Sequence, residues 1–527
     1  MLTDRWLLPT AAEMRALDRH TVDALGVPGE LLMESAGQAI VAQALRLLDA
    51  TRGEVWCHCG SGNNGGDGFV VARLLRLRGV TARIVLVGDR ARFTPEAAAN
   101  FARAERVGVR LAKGAPPRGS VIVDAIFGTG LSRRVAGTAA RAIRRINASR
   151  PACRVLAVDV PSGIDSDTGQ ALGAAVEADL TVTLGLPKLG LSQEPARSLA
   201  GVIVVARIGI ADAAPGVSVA AECWTRSAAA RALPARPRSG HKGTFGHVLI
   251  AGGSRGKAGA AALAARGAAR GGAGLVTIAC PRSQSPILQR ASLEAMTAPL
   301  AESKHGAFAR EAIEELLALA RERSALVLGP GCGRAADTRA ALRAFALGAP
   351  GPLVLDADGL VAFEGHLSEL STRRAPTLLT PHPGEAGLLL GLTPKQVNAA
   401  RPAQARALSA QSGAIVVLKG PGTVIAEPGG TIVVNATGGP ILGTGGTGDV
   451  LAGLIGALLA QRVPAFEAAA LAAFVHGAAG DLVAARRGSR GALASEIADA
   501  IPEVLRSLGE PQARIGAGDA IRFPEPG

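Results

Sequence analysis

Short, continuous apolar runs alternate along most of the chain with stretches rich in Arg and Ala that are typical of helices. In the first half, these apolar runs end at Gly60, Gly88, Asp124 and Asp159. Buried strands that alternate with helices indicate a parallel sheet covered by helices on both faces. We therefore predict an α/β fold. The second half repeats the pattern, with strands near His247–Ala251, Leu275–Ala279, Ala325–Leu328, Leu353–Leu355, Ala414–Leu418 and Thr431–Val434.

The length of 527 residues exceeds what one hydrophobic core supports, so two large domains are expected. The alternating pattern is unclear from Ala211 to about Gly240, a stretch that includes the Pro- and Arg-containing run L-P-A-R-P-R-S-G. We predict domains at residues 1–215 and 238–510, a linker at 216–237 and a tail at 511–527 whose final residues fray.

The composition is that of a soluble globular protein, with 48% hydrophobic and 19% charged residues. Tyr is absent and aromatic residues make up 3%, so nucleic-acid binding through stacking is not expected. The formal charge of +14 comes from Arg scattered through Ala-rich helices, and its field favours anionic nucleotides. Because Arg is the usual cation here, each Lys is notable, and Lys242 and Lys419 lie in glycine-rich motifs.

Cysteine usage and apolar runs bear on location. Six Cys spread over the chain form no disulfide framework, and Cys57 and Cys59 have the wrong spacing for a structural zinc site. Asp4 and Pro9 interrupt the apolar N-terminus, and no uncharged apolar run reaches membrane-spanning length. We expect a cytoplasmic protein whose partners are small molecules and further copies of itself, and neither nucleic acid nor membrane.

Residues 60–68 read G-S-G-N-N-G-G-D-G and lie between a predicted strand and a predicted helix. Gly60, Gly62 and Gly65 satisfy the G-x-G-x-x-G pattern of dinucleotide-binding loops, which is a weak signal by itself. The N-N-G-G-D core is not part of that pattern. Its Asn and Asp oxygens suit a monovalent cation or sugar hydroxyls, so this loop is a candidate binding site.

Two further strands of the first half end in polar residues. Asp124 ends the run V-I-V-D before a glycine turn and two Arg, and Asp159 and Ser162 follow the run V-L-A-V. Each Asp alone is compatible with an ordinary turn or cap. Ligands of open α/β sheets bind outside the carboxyl ends of the strands, however, so these adjacent strand ends predict one shared crevice.

These loops, with the opening motifs M-R-A-L-D-R-H, G-V-P and L-M-E-S-A-G, resemble the NAD(P)H-hydrate epimerase family over about the first 210 residues. The resemblance implies a Rossmann-like domain that interconverts the R and S forms of hydrated NADH or NADPH at C6 of the nicotinamide ring. One departure is Ser35, where the family usually has Asn.

The epimerase resemblance also implies site residues. It places a potassium ion on Asn64, Asp124 and Ser162. Asp124 is our candidate for acid–base catalysis, and its implied role as a cation ligand competes with that. The implied substrate contacts are Asn63, Asn64, Gly65, Gly66, Asp67, Gly128, Thr129, Gly130, Leu131, Ser132, Arg133, Arg134 and Asp159.

Residues 443–449 read G-T-G-G-T-G-D and run directly into an apolar helix. A glycine turn at a helix N-terminus presents N–H groups to an anion, usually a phosphate. Asp449 could be a simple N-cap. A carboxylate beside a phosphate makes better sense as a base that activates a hydroxyl for phosphoryl transfer.

The second half opens with the motif H-K-G-T-F-G at 241–246, directly before its first predicted strand. Other motifs follow predicted strands, namely G-P-G-C-G at 329–333, D-A-D-G at 356–359 and P-H-P-G-E at 381–385, which contains His382. Lys419 ends a strand before a glycine turn and offers a compact cation for a phosphate oxygen. The ending G-K-[ST] of a P-loop is missing.

This set resembles the ADP-dependent NAD(P)H-hydrate dehydratase family, which has a ribokinase-like fold, over about residues 235–505. The domain order matches chains in which both activities are fused. The resemblance implies Mg²⁺ and ADP as cofactors. The segment G-G-P-I-L at 438–442 departs from the family's usual G-N-P-G-M and could change nucleotide affinity. The implied hydrated-nicotinamide contacts are Ala260, Gly331, His382 and Asp449, and the implied ADP contacts are Lys419, Gly420, Pro421, Gly422, Thr423 and Gly448.

Two other functions are compatible with parts of the sequence. A ribokinase-like kinase for a small alcohol shares G-T-G-D, but it would not need the H-K-G-x-x-G or N-N-G-G-D motifs. A non-catalytic nucleotide-binding module would tolerate loss of Asp449, Lys419 and Asp124, and all three are present. The sequence leaves open the oligomeric state, the preference between NADH and NADPH and between ADP and ATP, and any transfer between domains.

Overall fold

The computed structural model describes residues 4–51, 53–509 and 522–524, and they form two compact units. The first unit comprises Trp6–Glu222 with residues 522–524, and the second comprises residues 4–5 and 223–509. The segment 216–237, which the sequence analysis assigned to a linker, contains a strand and a helix. The strand is β9 at Ala221–Trp224 and the helix is Arg226–Ala232.

Up to Glu222 the chain alternates strands and helices as predicted. The strands are β1 Arg5–Leu7, β2 Val55–Cys59, β3 Ala82–Leu86, β4 Arg110–Leu111, β5 Val121–Ala125, β6 Arg154–Val158, β7 Leu180–Leu184 and β8 Val202–Ala206. The α-helices are α1 Ala11–Arg19, α2 Gly29–Thr51, α3 Asn63–Leu77, α4 Pro95–Arg106, α5 Gly137–Ser149 and α6 Ala196–Leu199.

The sheet of the first unit is parallel across seven strands, in the order β8-β7-β6-β5-β2-β3-β4. Alternate residues of the central strands enter two separate cores. Cys57 packs with Phe69 of α3 on one face, and Ile122 packs with Ile143 of α5 on the other. The predicted α/β sheet with helices on both faces is confirmed. Strands β7 and β8 were not among the predicted strands.

The final residues of the chain differ from the expectation of a frayed end. Arg522–Phe523 forms β19, which pairs antiparallel with β8. Phe523 is buried, and its ring contacts the ring of Trp6 edge-to-face at a centroid distance of 6.3 Å. An apolar side chain and a free sheet edge together hold this short strand, which sequence pattern alone did not indicate. The rest of the predicted tail, apart from residues 522–524, lies outside the described residues.

The second unit is also α/β. After β9 its strands are β10 His247–Ala251, β11 Leu275–Pro281, β12 Met296–Leu300, β13 Ala325–Leu328, β14 Leu353–Leu355, β15 Thr377–Leu379, β16 Ile415–Leu418, β17 Val424–Ala426 and β18 Ile432–Val434. The α-helices are α7 Arg226–Ala232, α8 Ala258–Arg270, α9 Ser285–Ala291, α10 Ala312–Arg321, α11 Ala336–Gly348, α12 Asp358–Val361, α13 Pro383–Leu390, α14 Pro394–Ala399, α15 Arg401–Ser412, α16 Thr447–Ala460, α17 Ala465–Arg487 and α18 Ala494–Leu508.

The sheet of the second unit has the strand order β1-β9-β18-β17-β16-β15-β14-β13-β10-β11-β12. Strands β10 to β16 pair in parallel, and β17 and β18 continue the sheet antiparallel. The six strands predicted for this half are present. Strand β12 was not predicted, because Thr297 and Pro299 interrupt its short apolar pattern.

Helix α16 lies against the sheet and against α8, and small residues allow this close approach. A Cβ atom on Gly453 of α16 would lie 1.9 Å from the carbonyl oxygen of Ala264, so only glycine fits there. A Cβ atom on Gly267 of α8 would likewise lie 2.3 Å from the carbonyl oxygen of Val450, so this position also requires glycine. This contact fixes the position of α16 and therefore of the glycine turn at its N-terminus.

One described helix, α17, is long and apolar enough to cross a membrane by length and composition. Its most apolar stretch is 72% buried inside the structure, as in the core helix of a globular domain. Its buried side chains pack with α16 and α18 in one hydrophobic core.

Candidate active sites

The first candidate site begins at the turn between β2 and α3. Gly65 is required there because a Cβ atom would lie 2.0 Å from the carbonyl oxygen of Gly60. Asn63 begins α3, and its Oδ1 accepts a hydrogen bond of 2.7 Å from the hydroxyl of Thr94. Asn64 follows, and its Nδ2 is buried with no hydrogen-bond partner in the described structure. The turn thus offers one amide group that a ligand could satisfy.

Asp124 at the end of β5 is fully buried and is held by Ser162. The Ser162 hydroxyl donates to Asp124 Oδ1 at 2.6 Å, and the Ser162 N–H donates to Oδ2 at 2.8 Å. The backbone N–H of Phe127 donates to Ser162 Oγ at 2.8 Å. Burial raises the pKa of Asp124 to about 6, against the opposing effect of these hydrogen bonds. A buried carboxylate of this kind favours a bound cation.

The three predicted strand ends meet at Gly128. A Cβ atom on this glycine would lie 3.1 Å from Asn64 Oδ1 and 3.5 Å from Asp159 Oδ2. Asn64 of the glycine loop and Asp159 after β6 therefore approach the same point. The following residues, 129–134, form a loop in which Arg133 and Arg134 are exposed. The structure brings these predicted residues together and leaves the two Arg free to meet an anion.

Lys188 completes this cluster, and the sequence analysis did not assign it. It is buried, and its Nζ contacts Asp159 Oδ1 and donates to the Leu184 carbonyl at 2.7 Å. Asp67 lies nearby, and burial, together with the charge of Asp159, raises its pKa well above the ordinary value. Burial also raises the pKa of Asp18, whereas Lys188 lowers it. The scarcity of Lys was the one sequence signal that pointed to Lys188.

The second candidate site lies at the N-terminus of α16. Gly446 precedes the helix with φ of +94°, and the Thr447 hydroxyl donates to the Leu442 carbonyl at 2.9 Å. Asp449 lies in the first turn of the helix. Burial raises its pKa to about 7, and the charges of Asp356 and Glu385 act in the same direction while Lys419 opposes them. Its carboxyl group can therefore both hold and release a proton near neutral pH.

Lys419 lies beside this turn. Its Nζ donates to Asp356 Oδ1 at 2.8 Å, and the Thr380 hydroxyl donates to the same oxygen at 2.7 Å. A Cβ atom on Gly448 would lie 3.1 Å from Lys419 Nζ. The ammonium group thus sits against the first turn of α16, where helix amides and a cation together favour a phosphate.

The predicted nucleotide turn follows Lys419. The Thr423 hydroxyl donates to the Gly420 carbonyl at 2.9 Å and closes the turn. Gly420 and Gly422 have φ of +142° and +62°, a region that favours glycine. Pro421 and the two glycines are exposed or half-buried, so the turn is open to a ligand.

His382 caps α13 with its side chain. Nδ1 accepts hydrogen bonds from the N–H groups of Gly384 at 2.9 Å and Glu385 at 3.3 Å. The neutral ring therefore carries its proton on Nε2, which lies 3.5 Å from Glu385 Oε1. Its side chain is 56% exposed, so this N–H group is available to a substrate.

Ala260 and Gly331, two of the implied nicotinamide contacts, lie side by side. A Cβ atom on Gly331 would lie 3.2 Å from the Cβ of Ala260 and 2.5 Å from the Lys257 carbonyl oxygen. Asp358 lies nearby, with Lys257 Nζ at 3.2 Å and Arg334 Nε at 2.7 Å from its carboxylate oxygens. Burial raises the pKa of Asp358, but the hydrogen bonds from Arg334, the Gly333 N–H and Lys257 together outweigh it and lower the pKa. The motif at 356–359 was noticed in the sequence, but its two carboxylates were not assigned roles.

The motif H-K-G-T-F-G at 241–246 lies elsewhere. It precedes β10, at the amino end of that strand, whereas the candidate residues follow the carboxyl ends. Gly246 packs against the Ala460 carbonyl, where a Cβ atom would be 2.2 Å away, and Arg236 stacks over the Phe245 ring at 3.9 Å. The motif therefore has a packing role in this structure.

Comparison with known proteins was made for the whole chain. Residues 248–503 match the family described as NAD(P)H-hydrate dehydratase, and residues 29–190 match the family described as YjeF-related protein N-terminus. The bifunctional NAD(P)H-hydrate repair enzyme Nnr of Moorella thermoacetica is 40% identical over 521 residues, which cover 95% of this chain and 97% of that protein. This chain belongs to the bifunctional NAD(P)H-hydrate repair enzyme family.

A further repair enzyme of the same name, from Thermofilum pendens, is 36% identical over 509 residues, covering 95% of this chain and 96% of that protein. Among solved structures, the ADP/ATP-dependent NAD(P)H-hydrate dehydratase from Bacillus subtilis, co-crystallized with ATP/Mg²⁺, is 30% identical. It covers 54% of this chain and 98% of its own, with a TM-score of 0.47. The two repair enzymes confirm the predicted family, and the strands and helices of both units confirm the predicted α/β fold.

Proposed function

We propose that this repair-enzyme chain epimerises the R and S forms of hydrated NADH and NADPH in its first unit and dehydrates the S form in its second, at the expense of ADP. The observation that carries the second activity is Asp449, a carboxyl group with a pKa of about 7 in the first turn of α16. A plain helix cap needs no such pKa, whereas a general base at neutral pH does.

In the proposed dehydration, Asp449 accepts the proton of the C6 hydroxyl, the C6 oxygen attacks the β-phosphorus of ADP, and AMP leaves with the bridging oxygen. The product carries phosphate on C6. Hydroxide is a poor leaving group and phosphate is a good one. The lone pair of the ring nitrogen then expels phosphate from C6, and loss of a C5 proton restores the double bond of NAD(P)H. His382, with its Nε2 proton, and the Ala260–Gly331 contact form the proposed nicotinamide side of the site.

The nucleotide side consists of the turn Lys419–Thr423 and Gly448. Lys419 and the amides of α16 would stabilise charge that develops on the transferred phosphoryl group. Mg²⁺ is held mainly by nucleotide phosphates and one or two carboxylates. Asp356, whose Oδ1 accepts hydrogen bonds from Lys419 and Thr380, lies in this group, so the residues present fit Mg²⁺–ADP. The bound ion would neutralise phosphate charge.

The epimerase site fits a potassium ion. The donors expected to hold it are the side chains of Asn64, Asp124 and Ser162, which supply oxygen ligands. The buried carboxylate of Asp124 is a group that a cation would stabilise, and Asn64 would offer its Oδ1, whereas its unpartnered Nδ2 is a donor left for an acceptor on the substrate. Within the described residues, no three His, Cys, Asp or Glu side chains converge on a metal position, so a transition-metal site is not supported.

Full burial bears on the role of Asp124. A group that touches the substrate must be reachable, and Asp124 is enclosed by Ser162 and the backbone of residues 126–127. We propose that it orients the cation and the loop. The exposed Asn63 and the loop 128–134 are then the groups that face the nicotinamide, whereas Asp67 and Asp159 are buried near Lys188 and support them. Self-association and a cytoplasmic location remain predictions.

One experiment separates this function from its alternatives. Incubation of the purified chain with hydrated NADH and ADP should restore the absorbance of the reduced nicotinamide and release AMP and phosphate. A small-molecule kinase would instead keep a phosphorylated product, and a binding module would change neither substrate nor nucleotide. Asp449→Asn should stop dehydration and leave epimerisation unchanged. Dehydration that persists in this variant would remove the proposed base.

A further inference from the structure

Arg401 is a buried cation behind the proposed nucleotide turn. It is the first residue of α15, and the residue is 4% exposed. One guanidinium nitrogen donates to the Leu418 carbonyl at 2.8 Å, and another donates to Asn398 Oδ1 at 3.2 Å. Its Nε is buried and has no partner in the described structure. The side chain is thus only partly satisfied by the protein.

Three features make this position costly for a positive charge. Burial removes the guanidinium from water, and it alone accounts for the lowered pKa of Arg401. The N-terminus of a helix carries a partial positive charge, which repels a cation. No carboxylate in residues 4–51, 53–509 or 522–524 forms an ion pair with it. Because buried charges are ordinarily paired, an anion from outside the chain is the missing element.

Arg373 in the same unit is half-buried and shows how the protein satisfies a structural Arg. Burial lowers its pKa in the same way, to about 10. Its Nε donates to the Thr377 hydroxyl at 2.8 Å, and its other nitrogens donate to the carbonyls of Ala346, Ala349 and Gly351. All three guanidinium nitrogens therefore have protein acceptors. Arg401 differs in its unsatisfied Nε and in its neighbour.

That neighbour is Gly420 of the proposed nucleotide turn. A Cβ atom on Gly420 would lie 2.8 Å from one terminal nitrogen of Arg401 and 3.1 Å from the guanidinium carbon. The backbone of the turn thus rests directly on the guanidinium group. Arg401 also binds the carbonyl of Leu418, one residue before Lys419. The positive charge of Arg401 is therefore held at the start of the turn by its contacts with Leu418 and Gly420.

The charges around Lys419 show why a second cation is needed. Lys419 Nζ donates to the buried carboxylate of Asp356 at 2.8 Å, so its charge is already partly neutralised within the protein. A diphosphate that approaches Lys419 therefore meets less positive charge than one free ammonium group provides. Arg401, held against Gly420, supplies a positive charge that no carboxylate of the described residues neutralises.

We propose that Arg401 is a positioning residue for the nucleotide, which fixes the turn Lys419–Thr423 and supplies the charge that binding of the ADP phosphates neutralises. The proposal rests on the proposed function in one respect, namely that ADP binds this turn. Beyond that function, Arg401 acts through the backbone of the turn and favours ligands that carry more phosphate charge. Adenosine, which has no phosphate, should therefore gain nothing from Arg401.

The test compares Arg401→Met with Arg373→Met in the full chain. Both variants remove a guanidinium whose pKa burial lowers, from the same unit. The binding of ADP, AMP and adenosine is measured by calorimetry at two ionic strengths, and the kcat and KM for ADP are measured with hydrated NADH. For Arg401→Met we expect ADP affinity to fall about tenfold or more, AMP affinity to fall less, and adenosine affinity to stay unchanged. Arg373→Met should bind all three like the unaltered chain.

Two further variants, Arg401→Lys and Arg401→Gln, separate a role of the charge from a role of the shape, and ADP binding by the unaltered chain is the control. Arg401→Lys, which retains charge, should recover part of the ADP affinity, whereas Arg401→Gln should not. Equal losses for ADP and adenosine, or equal behaviour of the Met variants at Arg401 and Arg373, would show a role in shape alone and overturn the proposal. If the unaltered chain binds no ADP, the proposed function fails instead. Should Arg401→Met not fold, the comparison of Lys with Gln decides.

Discussion

The ammonium nitrogen of Lys419 lies 3.1 Å from the position that a Cβ atom on Gly448 would occupy. Asp356 anchors that ammonium group, so it cannot move away freely. Gly448→Ala should therefore displace Lys419 and raise the KM for ADP about tenfold, while the helix itself gains slightly because Ala is the better helix former. Steady-state kinetics of dehydration and a thermal melt check both parts.

Gly29→Ala is the control for this substitution. Gly29 is the first residue of α2, and a Cβ atom there meets nothing within 4 Å. This variant should retain both activities. A Gly448→Ala protein with unchanged KM and kcat would show that the close approach of Lys419 has no bearing on nucleotide binding.

Asp449 should make stability depend on pH in a direction that can be measured. Its pKa is about 7 in the folded chain and about 3.8, the ordinary value, when unfolded. Below the ordinary value the group is protonated in both states. As pH rises towards 7, the unfolded chain releases this proton first, so the folded state loses stability, and the loss is complete above 7.

Asp449→Asn stays neutral and escapes this loss. The variant should therefore be more stable than the unaltered chain at pH 8, by roughly 2 kcal/mol after allowance for partial exposure, and show a much smaller difference at pH 4. Melting temperatures at both pH values test this. A constant difference for Asp449→Asn would contradict the raised pKa.

The residues that sequence reasoning found lie on local motifs. Asp449, Gly448 and Lys419 each stand beside a glycine turn after a strand or before a helix, and in a parallel sheet all such turns open on one edge. Their convergence therefore follows from pattern and fold class together. The same holds for Asn64, Asp124 and Asp159, which the structure brings to Gly128 or to Ser162.

The residues that sequence reasoning missed depend on approaches between distant segments. Arg401 begins a helix in a stretch without any motif, and only the fold places it on Gly420. Lys188 meets Asp159 across 29 positions of the chain. Strand β19 pairs because an edge of the sheet is free, which no local pattern encodes. Long-range contacts of this kind are set by packing, so single-residue patterns do not reveal them.

Lys188 should be essential to the first unit. It is buried and paired with Asp159, and removal of one partner of a buried ion pair leaves an uncompensated charge that costs about 3–5 kcal/mol. Lys188→Met should therefore lower the stability of the first unit and abolish epimerisation while dehydration of the S form persists. Chemical denaturation and separate assays of the two reactions measure this.

A double variant distinguishes charge from shape at Lys188. Adding Asp159→Asn removes the orphaned charge and should recover most of the lost stability without recovering epimerisation. Lys113→Met, at an exposed position, serves as the control and should change neither property. A loss of less than about 1 kcal/mol in Lys188→Met would argue against a buried pair.

Epimerisation should depend on potassium through Asp124 and its partner Ser162. The Asp124 carboxylate is fully buried, and burial raises its pKa to about 6, so a cation bound beside it lowers the cost of its charge. Raising the potassium concentration at constant ionic strength, with choline as the replacement, should increase the rate of epimerisation and the melting temperature of the first unit together.

Asp124→Asn should lose both responses to potassium. Ser162→Ala should need several times more potassium for the same effect, since the carboxylate loses the hydroxyl that donates to it at 2.6 Å. Because the melting temperature responds to binding alone, it separates a lost cation from a lost proton transfer. Equal rates and melting temperatures in potassium and choline would show that these oxygens hold no cation.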